Sequence, residues 1–204
     1  MARIQNKAVS LSGEAGNHIV KVDSITQTLQ GIEYAHHEIH SGSHYTAMYG
    51  VADIGAATTP NDAITLTFST PNTTKWAHMV FLFNAVGGAL CRVREGGSGG
   101  ASPSGTITCF NNNRNSSNTS GFLDLSSVAS KISYDAGLDT GGTLIVDEYI
   151  GGATTNQNRT GGGAESGGRF EWILKQNTRY QISIVSTATV AAEIVMHWYE
   201  HTSV

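Results

Sequence analysis

The stretch "AEIVMHWYEH", Ala192 to His201, decides the fold class. Ile194, Met196 and Trp198 alternate with Glu193, Val195 and His197, a period of two that places the apolar set on one face of a β-strand. A helix would spread the same residues around its axis. Working outward, "RYQISIVS" (179–186) repeats the pattern with Tyr180, Ile182 and Ile184, and "AITLTFS" (63–69) sets Ile64, Leu66 and Phe68 against Thr65 and Thr67. The run "WAHMVFLFNAV" (76–86) is apolar at both parities, as expected of a central strand covered on both sides. Helical periodicity is nearly absent, and the best candidate is a turn or two around "LDLSSVASK" (123–131), where Ser and Asp are available as caps.

Glycine punctuates these runs. The chain holds 24 glycines against three prolines, clustered in "EGGSGGASPSG", "DTGG", "IGG" and "RTGGGAESGG". They separate strands at the short intervals of a sandwich and read as hairpin tips. No helix follows them to aim its N-terminus at a phosphate, which argues against a dinucleotide site. The predicted fold is all-β: an antiparallel β-sandwich or jelly-roll-like domain over residues 31–204. Residues 1–30 are expected as an N-terminal arm or first strand, polar except for "HIVKV".

Charge and hydropathy exclude some partners. With a formal net charge of −4 and only 14% charged residues, the chain has no basic block, so no nucleic-acid partner is expected. Nothing approaches the roughly 20 apolar residues of a membrane span, and "MARIQNKAVSLSGEAGN" lacks the apolar core of a secretory signal. Synthesis in a cytoplasm and no membrane partner are the expectations. Cys91 and Cys109 lie equidistant from Gly100 in the glycine loop. A symmetric hairpin would make them a cross-strand pair, kept as thiols in a reducing compartment.

Half of the eight histidines fall in "IEYAHHEIHSGSHY" (32–45). "HEIHS" misses the H-E-x-x-H zinc motif by one place, and no H-x-H occurs. Read as a strand, His36, Glu38 and His40 share one face, with "SGS" turning the chain into His44. The candidate metal ligands are then His36, His40 and His44. The set is incomplete and no recognised spacing is met, so a solvated or interface strand, with Glu38 pairing a histidine, is the preferred reading. His197 and His201 would stand about 13 Å apart along a strand, too far to share a metal. No G-x-S-x-G elbow or cysteine–histidine–acid context appears, so neither an enzyme nor a cofactor is expected.

Three segments, "IEYAHHEIHSGSHY" (32–45), "ITCFNNNRNSSNTS" (107–120) and "WILKQNTRYQISIVSTATVAAEIVMHWYEHTSV" (172–204), resemble a family of tailed-bacteriophage virion proteins, β-rich proteins that decorate or cement the capsid. The family-like positions are His36, His37, Glu38, His40, Gly42 and His44, then Asn113, Arg114 and Asn115, then Trp198, Tyr199, Glu200 and His201. The resemblance implies a structural protein on the capsid exterior, with the major capsid protein and further copies of itself, as a homotrimer, for partners. His36, His37, Glu38, His40, His44, Asn113, Arg114 and Asn115 are the interface candidates. Two other classes stay open. One is a carbohydrate- or receptor-binding module of a phage fibre, although Trp172 and Trp198 read as core residues. The other is a metal-dependent β-barrel enzyme.

Overall fold

The computed structural model describes residues 9–13, 16–20, 34–54, 63–100, 102–150, 159–162, 171–186 and 189–202. The chain divides into two compact units, Met1–His37 and Glu38–Val204. In the first, β1 (Val9–Gly13) and β2 (Gly16–Val20) form an antiparallel hairpin with Val9 opposite Val20. The division between units falls within helix α1 (Tyr34–Ser41).

The second unit continues with β3 (His44–Ile54), β4 (Ala63–Ser69), β5 (Lys75–Ala85), β6 (Ala89–Glu95), β7 (Gly105–Thr108), β8 (Phe110–Asn111) and β9 (Lys131–Tyr134). It closes with β10 (Thr143–Ile150), β11 (Arg159–Gly162), β12 (Trp172–Ile173), β13 (Arg179–Val185) and β14 (Val190–Thr202). One sheet runs β10-β6-β13-β4-β9-β7. The other runs β11-β5-β14-β3-β8, with β12 also on β5. Every pairing is antiparallel, and the two sheets pack as an all-β sandwich. The last two long strands, consecutive in the chain, each take a central place in a different sheet.

The alternating residues form the core. Ile194, Met196 and Trp198 of β14, Tyr180, Ile182 and Ile184 of β13, and Leu66 and Phe68 of β4 are all fully buried. An aromatic stack ties the sheets together. Trp198 lies 4.8 Å from Phe122, Phe122 lies 4.4 Å from Phe68, and Phe68 lies 5.9 Å from Tyr180. Such offset pairs add about 0.5–1.5 kcal/mol each beyond their area burial. Phe122 comes from no strand: the long segment between β8 and β9 inserts it between the layers.

Four local expectations are corrected. "YAHHEIHS" is helical, because its alternation is weak and its end is capped by a Schellman motif: Ser43 N donates to Glu38 O (2.9 Å) and Gly42 N to Ile39 O (3.1 Å), with Gly42 at φ +75°. "LDLSSVASK" is a turn. Asp124 Oδ1 accepts from Ser126 N and Val128 N (both 2.8 Å), the local bonding by which Asp diverts a chain from helix. Cys91 and Cys109 are not hairpin partners, because β13, β4 and β9 lie between β6 and β7; Cys91 faces Ile184 and Glu148. Both are buried free thiols. β5 is central as expected, but only the face of Met79, Phe81 and Phe83 is buried, while Val80 and Leu82 are half-exposed.

Candidate functional site

The parity of β14 that faces away from the core carries His197, Tyr199 and His201. The ladder sets Tyr199 opposite His78 of β5 on one side and His44 of β3 on the other. A row His44–Tyr199–His78 therefore crosses three strands. His78 stacks on Tyr199 (4.7 Å, 14°), and His44 lies 6.5 Å from the same ring. The diagonal neighbours join it, His201 at 4.5 Å from His78 and His197 at 6.3 Å from His44. Glu171, just before β12, closes one end: its Oε1 accepts from His78 Nδ1 (2.7 Å) and from the Tyr199 hydroxyl.

At the other end a polar chain fixes the rings. The His197 Nδ1–H donates to Thr46 Oγ1 (2.9 Å), whose hydroxyl donates to Asn112 Oδ1 (2.7 Å), and Asn112 Nδ2 donates to His44 Nδ1 (2.8 Å). The single Thr46 proton is committed to Asn112, so His197 does not activate Thr46 as a nucleophile. Burial holds His44 down to about 4, helped by His197 and opposed by Glu38. Burial likewise lowers His197, and lowers His78 against the pull of Glu171. His44, His78 and His197 therefore present neutral imidazoles at pH 7, suited to hydrogen bonding or metal ligation rather than to binding anions.

Residues 40–44, 111–121 and 198–200, parts of the three family-like segments, come together beside this patch. Asparagine amides satisfy the carbonyls that the end of α1 leaves open. Asn111 Nδ2 donates to Gly42 O (2.9 Å), Asn113 Nδ2 to His40 O (3.1 Å), and Asn118 Nδ2 to Gly42 O (3.3 Å) and Ser41 O (3.4 Å). Glu200, on the inward parity of β14, is buried. It accepts from Ser120 Oγ (2.6 Å), Gly121 N and Trp198 Nε1 (2.9 Å), while its own N donates to Ser43 O (2.9 Å).

Among the interface candidates, His36, His37, His40, Arg114 and Asn115 are exposed, and His44 and Asn113 are half-buried. Glu38 is buried and accepts from Ser41 Oγ (3.2 Å), so it is no surface contact; its charge acts on His44 and His78. The strand face proposed for His36, Glu38 and His40 does not exist, since a helix groups residues by three and four rather than two. His44 lies on β3, engaged with Asn112. Arg114 donates to Asn111 O (3.5 Å), and its guanidinium sits 5.6 Å from the ring of Phe110, which is 51% exposed. Trp198 is core as expected, whereas Trp172 is 38% exposed.

Sequence reasoning missed His78, Glu171 and Thr46. His78 occupies the outward parity of a run that otherwise reads as apolar. That parity was a usable signal, but the pairing of β5 with β14 was not. Among the described residues, no group of three or more His, Cys, Asp or Glu is set to hold a metal ion, and no helix is long and apolar enough to cross a membrane. Comparison of the chain with family models, curated proteins and solved structures found no match.

Proposed function

We propose that this protein is a structural virion component that binds the outside of a phage capsid, as a self-associating and non-enzymatic decoration or cement protein. The observation that carries the reading is the meeting of the three family-like segments. The end of α1, the asparagine-rich ribbon and the last strand are one bonded assembly, so the resemblance marks a place in the fold rather than scattered sequence. The exposed Phe110–Arg114 pair on that ribbon supports it further, because aromatic residues and Arg are enriched at protein interfaces and dominate their energetics. The test is co-sedimentation with purified capsids that lack the protein. Wild type is expected to saturate the shell as trimers, counted by native mass spectrometry. An Arg114→Ala, Phe110→Ala protein is expected to fold but to lose at least tenfold in binding. Unchanged binding of that double variant removes the ribbon from the interface.

One observation favours a second reading, a carbohydrate-binding module of a phage fibre. Trp76 (40% exposed) borders a groove with Ile173, Lys175 and Gln176, which offers an aromatic face beside the Lys175 ammonium. Saturable glycan binding that is lost in Trp76→Ala is the result that would favour it over capsid decoration.

A further inference from the structure

Beyond Thr46, strand β3 has a free side. Its neighbour β8 pairs with it only at Tyr45 and Thr46, because the chain leaves β7 of the other sheet and joins β3 no earlier than Phe110. Among the described residues, the stretch 47–54 has β14 on one side and no strand on the other. Its outward residues Met48, Gly50 and Ala52 are exposed. Gly50 stands in the middle of the strand without a positive φ, so its backbone does not call for glycine. Glycine inside a strand weakens it, and it often marks a place where a ligand or another backbone approaches closely.

Glu193 of β14 lies directly opposite Gly50, with Asn84 of β5 on its far side. A Cβ built at Gly50 would crowd Glu193 Cβ and the Ala192 carbonyl, both at 3.2 Å. Asn84 Nδ2 donates to Glu193 Oε2 (3.2 Å), and Oε1 receives no hydrogen bond among the described residues. Around this half-buried carboxylate lies an outward-facing groove of about 680 Å³, with Met48 and Ala52 on its β3 side and Val86 on its β5 side. Met48 is 54% exposed and Val86 51%. Glu193 is the one charged residue that lines the groove among the described residues. An apolar channel with a single carboxylate at its floor is complementary to a cation on an aliphatic stem.

We infer that the groove and the free side of β3 together bind an extended segment of a partner protein that carries a Lys or Arg. The segment adds as a strand beside residues 47–54, where main-chain hydrogen bonds supply affinity and alternate side chains supply specificity. Its residue opposite Gly50 faces outward, on the same side of the sheet as Glu193. Strands lie about 4.8 Å apart, so two spacings, roughly 10 Å, separate that residue's backbone from β14. A short side chain does not cross this distance. A Lys or Arg does: Gly50 leaves its path clear, its stem lies on Met48 and Ala52, and its head meets Glu193 Oε1. A second copy pairing through its own β3 would bring no cation, since "HYTAMYGVADI" holds neither Lys nor Arg. Such a segment binds the isolated protein, with or without a capsid.

The full-length protein is titrated with the peptide acetyl-TVTRTVT-amide, whose arginine and two valines share one face, and followed by amide NMR spectra. Saturable binding is expected, with shifts concentrated in the backbone amides of residues 47–54 and in the side-chain amide of Asn84. Norleucine in place of the arginine keeps the stem and drops the charge, and is expected to weaken binding about fivefold or more. Glu193→Gln is expected to weaken the arginine peptide by the same factor and to leave the norleucine peptide unaffected, a coupling that a merely destabilised protein does not produce. The arginine peptide methylated on its backbone nitrogens, which cannot donate to β3, is expected not to bind. Absence of binding, or shifts that fall outside β3 and the groove, overturns the inference. So does an arginine peptide that binds Glu193→Gln as tightly as wild type, or a methylated peptide that binds as well as its parent.

Discussion

Gly42 ends α1 at φ +75°, and a Cβ built there meets Ser116 Oγ at 2.3 Å and Ser116 Cβ at 2.8 Å. The position is thus closed to side chains twice, by backbone conformation and by the ribbon packed on it. Gly42→Ala is expected to destabilise the protein by more than about 1 kcal/mol, measured as a lower urea midpoint. Ser116→Ala in the same chain should return only part of the loss, since the φ strain stays. The two thiols make a second prediction at this scale. Cys91 and Cys109 are both buried, which pushes each thiol up to about 12. The native protein is expected to be inert to a thiol reagent at pH 8 and to titrate two thiols once unfolded in guanidinium. Fast reaction of either thiol in the native state would show that its strand opens locally.

At the scale of elements, Arg179 at the start of β13 pins two loops. Its Nε donates to Asp139 Oδ2 (2.8 Å), and its Nη2 donates to Asp139 Oδ1 (2.5 Å) and to Gly100 O (2.8 Å). Gly100 N also donates to Asp139 Oδ1 (2.9 Å), and the Asp139 side chain is 1% exposed. Removing the cation strands a buried carboxylate, so Arg179→Ala is expected to cost about 3 kcal/mol in chemical denaturation. A loss below about 1 kcal/mol would mean that the loop backbone alone satisfies Asp139. The strands themselves were legible: β4, β13 and β14 carry strict alternation and fold as read. The helix was not. "AHHEIHSGS" alternates weakly, and what makes it helical is the cap by Gly42 together with asparagine amides from some 70 residues away, a contact that no local pattern encodes. For the same reason the glycine loop misled the cysteine reading. Symmetric spacing suggested a hairpin, whereas β6 pairs with β13 and β10.

For the whole molecule, burial holds His44, His78 and His197 neutral, and this makes stability depend on pH. His44 protonates near 6.5 when unfolded but is held to about 4 in the fold, so between those values the unfolded chain binds more protons. The contribution is present above pH 6.5 and is lost as pH falls toward 4. It is on the order of 2 kcal/mol once partial solvent access is discounted. His197, lowered by burial, adds in the same direction. Urea midpoints are expected to fall from pH 7 to pH 4.5, and His44→Asn is expected to flatten that slope. An unchanged slope would show that carboxylates alone set it.

The all-β class and the core parity of the main strands were readable in the chain alone, because alternation is a local property that each segment carries by itself. Tertiary structure decided which strands become neighbours, and with that everything chemical. It placed the histidine row, brought Glu171 to His78 and laid the asparagine ribbon against the end of α1. A strand's outward face acquires meaning only from the strand beside it, and of the 24 residues from the start of β13 to the end of β14 none states that partner.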